Sequence, residues 1–392
     1  MDEAFFSGHQ PDSIFVLVAF TIVLLNLNTE ILKMKQLTIY NILICLLCSS
    51  ISNLAAQQII PAQELTIQGR VFQDSPHFHR VDTAKYNTLP SRVKTLLTNA
   101  PGMYTSFRSN TKKLAINWTT KDAKLGNNST AIMSRGFDVY VKEPQGWQFA
   151  GAARPSLTSP SSKFPIIEEM DDREKEFLLY FPLYKELITF ELEIDQEASF
   201  SPTTQQFNTK IVIYGSSIVH GASASRPGLA YPAQLARKLN AEVINLGVSG
   251  NAKMELSLAQ MINEITSVDL IIMDCVPNSS PEQVTERTFA FVKELRKKHP
   301  NTPILMIESI NREISNYNLK WQKRLLEQNG NFKKEYTRLL ASGEKNLYYI
   351  PADDLIGHDS EGTVDGTHPT DVGFSRMIDI IAPKIKEILE NI

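Results

Sequence analysis

The spacing of apolar and polar positions changes character near residue 209. Beyond it, short apolar runs rich in β-branched residues alternate with longer stretches in which apolar residues recur every three or four positions. The runs fall at 210–214, 241–246, 268–274, 303–308 and 346–350, and the helical patterns near 228–239, 253–265, 281–298, 320–342 and 371–390. Pro281 stands where a helix can begin, because the first helical N–H has no partner to lose. Strands that are apolar along their whole length suit a parallel sheet covered by helices on both faces. Right-handed crossovers leave few topologies, and a five-stranded doubly wound α/β sheet is the simplest.

From about residue 67 to 200 the pattern is that of an antiparallel fold. Short alternating runs at 114–118, 137–141, 147–149, 177–181 and 189–194 are broken by clusters of Gly, Pro, Asn and Ser. Ser91 to Asn99 is the one short helical candidate. A β-sandwich of jelly-roll type is predicted. Residues 57–66 read as a linker, and the mostly polar stretch from Ser201 to Asn208, with Pro202, as a connector. The expected organisation is a leader over 1–56, a β-sandwich over 57–207 and an α/β domain over 208–392.

The leader has its own logic. Met34 to Cys48 carries a short basic start and an apolar core, and small residues follow up to Ala55-Ala56-Gln57. That is a secretory signal in outline, with cleavage after Ala56. A second apolar run, Ile14 to Leu27, lies upstream and is short for a spanning helix. Two readings of residues 1–33 stand: translation begins at Met34, or the chain has an N-terminal anchor. Met34 opens a complete signal by itself, which favours the first. Cys48 lacks the small residues that precede a lipidated cysteine.

Cleavage would remove Cys45 and Cys48 and leave Cys275 alone, so no intrachain disulfide could form. An exported chain of this kind suits a bacterial periplasm or extracellular medium better than a small disulfide-stapled domain. The glycosylation sequons at Asn117 and Asn128 matter only in a eukaryotic secretory pathway. A net charge of −3 over 392 residues argues against a nucleic-acid partner. No stable membrane span is expected in the mature chain.

Candidate chemistry lies on the loops that follow strands. Gly215-Ser216-Ser217 ends the first run of the α/β region, Asn245 to Asn251 follows the second, and Asp274 to Ser279 follows the third. Asp365-Gly-Thr-His368-Pro369 precedes the last helix. In a doubly wound sheet all four open on one edge. A serine nucleophile needs a base, and the base needs an acceptor to hold its tautomer. His368 and Asp365, three apart, can supply both. The backbone N–H groups of Ser217 and Gly250 and the side-chain amide of Asn278 suit an oxyanion hole. Gly250, without a Cβ, allows close approach.

With these residues in place, 209–392 resembles the SGNH/GDSL hydrolases, whose signature blocks occur here in order. Gly-Ser-Ser stands where that family has Gly-Asp-Ser, which puts the nucleophile on Ser217. Gly250, Asn278 and the Asp365/His368 pair match the later blocks. The resemblance implies a flavodoxin-like α/β/α fold and ester hydrolysis without metal or other cofactor. Two departures, Ser216 for aspartate and Val276-Pro-Asn-Ser279 for Gly-x-Asn-Asp, mark a subgroup. That subgroup, similar to bacterial two-domain proteins, carries a Gly-x-Asp-Leu-Tyr motif in its β domain, matched here by Gly136-Phe-Asp-Val-Tyr140.

Other residues keep a plainer reading. His220 reads equally as a substrate contact or a solvated loop histidine. Arg226 reads as orienting an acidic substrate or pairing with a neighbour. Asp274 is expected to be structural and Cys275 a small core residue. Asp138 and Tyr140 are expected to define the β domain. His77 and His79 lack partners at ligand spacing, so no metal site is expected. The expected function is an exported serine esterase acting on short acyl groups, acetyl foremost, of a small-molecule or glycan ester. The rivals are a lipid or other small-molecule acyl hydrolase, and a carbohydrate-binding protein with a vestigial hydrolase domain. The absence of a long apolar lid segment weighs against the lipase. The complete Ser/His/Asp set weighs against the binding protein.

Overall fold

The computed structural model describes residues 12–51 and 57–391. Asp12–Ile51 (α1) is one uninterrupted helix that holds both N-terminal apolar runs. The expected cleavage point after Ala56 lies outside the described residues. No helix among the described residues is long and apolar enough to cross a membrane. Gln57–Ile392 forms one compact unit.

That unit begins with ten short strands and two short helices, in the order β1 (Gln57–Pro61), β2 (Ile67–Gln68), α2 (Ser91–Leu97), β3 (Tyr104–Ser109), β4 (Leu114–Thr120), α3 (Ala131–Arg135), β5 (Phe137–Glu143), β6 (Gly146–Ala153), β7 (Ser161–Ile167), β8 (Lys175–Tyr180), β9 (Leu187–Asp195) and β10 (Phe200–Thr203). They form two antiparallel sheets, β1-β9-β4-β7 and β10-β3-β8-β5-β6, with β2 paired to β3. Trp118 and Phe190 of the first sheet meet Phe107, Phe137 and Phe177 of the second in one core, so the sheets pack as a sandwich. The supposed linker at 57 is in fact strand β1, paired residue for residue with β9. Part of the supposed connector is strand β10, paired with β3. Both are edge strands, where a proline costs no ladder bond that the sheet needs, so Pro61 and Pro202 are tolerated.

The second half follows the predicted alternation: β11 (Lys210–Gly215), α4 (Ser217–His220), α5 (Tyr231–Leu239), β12 (Glu242–Gly247), α6 (Leu256–Ile262), β13 (Leu270–Asp274), α7 (Pro281–Arg296), β14 (Ile304–Ile307), α8 (Leu319–Ala341), β15 (Leu347–Ile350) and α9 (Asp371–Glu390). All five strands are parallel, in the order β12-β11-β13-β14-β15. This is the flavodoxin-like doubly wound arrangement. Along β11, Ile211 and Ile213 join the core under α5 and α9, and Val212 and Tyr214 join the core under α6, α7 and α8. The period of two lets one apolar run serve both faces. Pro281 is the first residue of α7, behind a capping box of Ser280 and Gln283.

The sandwich and the parallel sheet share a packed seam. Alternation on β8 sends Phe177 and Leu179 into the sandwich core, and Leu178 and Tyr180 outward against Ala233 of α5. Tyr104 and Tyr140 join them. Arg237 of α5 lies over the Tyr140 ring at 4.2 Å, and its guanidinium donates to the Gly228 carbonyl.

Candidate active site

The first strand of the parallel sheet, β11, lies between β12 and β13, so chain connections leave it in opposite directions. Such a switch point opens a crevice at the carboxyl end of the strands. Gly215 ends β11 there. A Cβ on it would meet Val219 at 2.1 Å and the Asp274 carbonyl at 2.4 Å, so only glycine lets the next turn fold so tightly onto the sheet. Ser216 accepts a hydrogen bond from the Ile218 N–H and caps α4, which leaves Ser217 as the first helical residue. Ser217 is 8% exposed.

Ser217 Oγ lies 2.8 Å from His368 Nε2. His368 Nδ1 lies 2.8 Å from Asp365 Oδ2. The other carboxylate oxygen of Asp365 accepts the backbone N–H groups of Thr367 (3.0 Å) and His368 (2.9 Å). Burial opposes the charge on Asp365. The His368 N–H, the imidazole and the Asn128 amide outweigh it and hold the carboxyl down to about 2. The loop has firm supports. Glu313 accepts the N–H groups of Gly362 and Thr363, the Ile314 N–H donates to the Gly366 carbonyl, and Thr370 caps α9.

Gly250 and Asn278 lie on the next two loops of the same sheet edge. Gly250 has φ +73°, a left-handed conformation that suits glycine, and a Cβ there would meet nothing within 4 Å. Asn278 Oδ1 accepts the Ala252 N–H at 3.2 Å, which ties the two loops together and orients the amide. Among the described residues, the N–H groups of Ser217 and Gly250 donate to no protein acceptor. Arg80, from the N-terminal half, buttresses this loop. Its fully buried guanidinium donates to the carbonyls of Leu96, Asn99, Asn245 and Gly247, and burial pushes it down to about 9.

Two expected residues lie elsewhere. His220 is wholly buried, with Nε2 2.6 Å from the Leu183 carbonyl and its ring 4.2 Å from that of Tyr184. Burial and the nearby Arg80 push it down to about 3, so it is a neutral packing residue with no surface to offer a substrate. Its surroundings close because Gly247 packs directly on its backbone. Arg226 donates to Asp138 and to the Tyr140 hydroxyl, and its guanidinium stacks 3.8 Å from the Phe149 ring. It pairs with a neighbour and is not aimed at the cleft.

Asp274 is buried and accepts the Tyr231 hydroxyl at 2.8 Å, and burial pushes it up to about 7. Cys275 is a buried free thiol. His77 Nε2 faces the Ala62 carbonyl, and His79 pairs with Glu186 at 3.0 Å. Among the described residues, no group of three or more His, Cys, Asp or Glu is gathered as for a metal ion.

Sequence reasoning missed Asn128. Its Nδ2 lies 2.9 Å from Asp365 Oδ2 and 3.1 Å from His368 Nδ1, although 237 and 240 residues separate them in the chain. Beside His368 opens a cleft of about 400 Å³. Apart from His368, Ala222 and Ser249, the residues that line it belong to the N-terminal half. Arg92, Lys121, Asp122, Tyr184, Lys185 and Glu186 give it a charged, polar wall. Lys185 pairs with Asp122 and Lys121 with Glu186, each at 2.8 Å.

Comparison with known proteins supports this architecture. The model of the GDSL-like Lipase/Acylhydrolase family matches residues 208–386, and that of the GxDLY domain, the N-terminus of an SGNH-hydrolase-type esterase, matches 58–200. A Bacteroides ovatus protein described as a GDSL-like lipase is 44% identical, with a TM-score of 0.83 over 86% of this chain and 98% of that one. A salicylyl-acyltransferase from a tetracycline biosynthetic pathway is 18% identical over 85% and 97% of the two chains, with a TM-score of 0.66. A family two carbohydrate esterase from Cellvibrio japonicus is 15% identical over 86% and 98%, with a TM-score of 0.55. These last two likenesses are of fold. No curated protein matches the sequence.

Proposed function

Because the chain belongs to the GDSL-like lipase/acylhydrolase family, with a GxDLY domain ahead of its hydrolase domain, we propose that it is an exported serine esterase removing short acyl groups, acetyl foremost, from carbohydrates. The observation that carries the reading is the unbroken series Ser217 Oγ, His368 Nε2 and Nδ1, and Asp365 Oδ2, each step 2.8 Å, beside a cleft that charged side chains line. Ser217 attacks the ester carbonyl as its proton passes to His368 Nε2. Asp365 keeps the other imidazole nitrogen protonated and stabilises the imidazolium. The N–H groups of Ser217 and Gly250 and the amide of Asn278 receive the oxyanion. His368 then protonates the leaving alcohol, and a water molecule, activated by the same imidazole, releases the acid and frees Ser217.

The substrate class rests on the cleft wall. Charges at Arg92, Lys121, Asp122, Lys185 and Glu186 suit a hydroxyl-rich alcohol. The carbohydrate esterase of the same fold and the signal-like leader agree with this. The test is hydrolysis of p-nitrophenyl acetate, butyrate and palmitate and of acetylated xylan, beside Ser217→Ala. Acetate and xylan deacetylation that vanish in the variant, with palmitate hydrolysed poorly, are expected. Equal activity in both proteins, or none in either, overturns the serine mechanism. A preference for palmitate overturns the substrate class.

A further inference from the structure

Asn128 sits on the loop between β4 and α3, in the sandwich rather than in the parallel sheet. Two hydrogen bonds dock that loop on the segment after the nucleophile: Ser223 Oγ donates to the Asn128 carbonyl at 2.9 Å, and Thr130 Oγ1 to the Ser225 carbonyl at 2.7 Å. The Ser225 N–H in turn donates to Asp371 at 3.0 Å, in the first turn of the helix that follows His368. The loop is therefore held at both walls of the crevice, and its half-buried amide is aimed at the carboxylate behind the histidine.

We infer that Asn128 is a positioning residue of the esterase, and that the accessory domain thereby completes the catalytic centre. The inference rests on the serine reading above. The orientation of the amide follows from its neighbours. Asp365 Oδ2 is 2.9 Å away and accepts only, so the atom facing it must be the N–H₂, and Asn128 Oδ1 is left to accept Ser129 Oγ at 3.3 Å. Asp365 Oδ2 thus takes two donors, the imidazole N–H and the amide, while Oδ1 takes two backbone N–H groups. Four donors on four lone-pair directions fix the carboxylate plane, and the plane fixes the imidazole that must reach Ser217. The amide also draws charge from the oxygen that stabilises the imidazolium. It therefore sets how strongly His368 holds its proton during the reaction as well as where it stands.

The test compares Asn128→Ala and the isosteric Asn128→Asp with the wild type in full kcat and KM profiles against pH. Loss of the donor should lower kcat about tenfold or more, since small displacements of a catalytic group carry penalties of this size, with KM changed less than twofold. In Asn128→Asp a second carboxylate beside Asp365 should move the acid limb of kcat/KM to higher pH. Arg92, Lys121, Asp122, Tyr184, Lys185 and Glu186, the other ionisable groups on the same cleft, are the same in all the proteins. Ser223→Ala, which frees the loop without touching the amide, should leave the acid limb in place. A fall in kcat with the limb unmoved in Asn128→Asp would make Asn128 a structural residue and overturn the inference, as would unchanged kinetics in both variants. An active wild type with a dead Ser217→Ala, measured alongside, keeps these outcomes separate from failure of the serine reading.

Discussion

The carboxylate of Asp138 holds Arg226 across the seam between the sandwich and the parallel sheet, and also takes the Gly228 N–H at 2.9 and 3.1 Å on its two oxygens. Asp138 is fully buried, on the face of β5 that points away from the sandwich core. The Gly-Phe-Asp-Val-Tyr segment is thus a clasp. Its apolar members Phe137 and Val139 fill the sandwich, and its polar members Asp138 and Tyr140 grip the chain just before α5.

Asp138→Ala should therefore destabilise the protein by about 2–4 kcal/mol, because a half-buried guanidinium, 17% exposed, and a buried N–H lose their acceptor together. Urea unfolding followed by far-UV circular dichroism reads this directly. Gly228→Ala tests the same clasp from the other side: its Cβ would meet the Tyr140 hydroxyl at 2.6 Å and Asp138 Oδ2 at 2.8 Å, so a loss of stability is expected there too.

Asp365→Asn should reduce kcat on p-nitrophenyl acetate by about 10³–10⁴, with KM little altered, because the amide presents an N–H to the imidazole and favours the wrong tautomer. Steady-state kinetics at constant pH suffice. A loss below tenfold would remove Asp365 from the mechanism.

The oxyanion assignment separates by an isosteric pair. Asn278→Asp keeps an acceptor for the Ala252 N–H but removes the side-chain donor. It and Asn278→Ala should each cost about 10²–10³ in kcat. If the aspartate variant keeps wild-type kcat, Asn278 serves only to tie the two loops.

Asp274 makes a prediction about stability rather than rate. Burial raises it from 3.8 to about 7, so the fold favours the protonated acid. Its contribution is fully present below pH 4 and is lost as pH rises through about 7. Asp274→Asn, still able to accept the Tyr231 hydroxyl, should gain thermal midpoint relative to the wild type at pH 8 and lose that advantage at pH 4. Melting curves at the two pH values check it. An equal difference at both would mean that Asp274 is ionised throughout.

The parallel sheet was legible because its strands are buried on both faces, so Lys210–Gly215 and Leu270–Asp274 appear as near-continuous apolar runs. The sandwich was read less well. Strands β1, β7 and β10 carry Pro61, Pro165 and Pro202 on sheet edges, where proline is harmless, and local pattern reads such prolines as breaks. Ser217, Asp365 and His368 stood out because a turn after a strand and a short Asp-x-x-His loop are local features. Asn128 and Arg80 gave no local signal: each is a polar residue in an irregular stretch, and each reaches a partner in the parallel-sheet half more than 160 residues away. His220 misled for the opposite reason. Nearness in sequence to Ser217 suggested the cleft, but the close packing of Gly247 turns it inward.

The cleft wall has a consequence for how such an enzyme can change its diet. In the proposed mechanism hydrolysis is carried by loops of the parallel sheet, while the residues that would touch the alcohol come from the sandwich, at 92–99, 121–129 and 184–186. Selectivity can then drift, or be engineered by grafting those loops, without disturbing the nucleophile or its base. One position in the grafted material is not free: a loop that brings new contacts at 121 and 122 must still deliver an amide at 128. The same eight-residue stretch is thus open to variation at one end and tethered to the chemistry at the other.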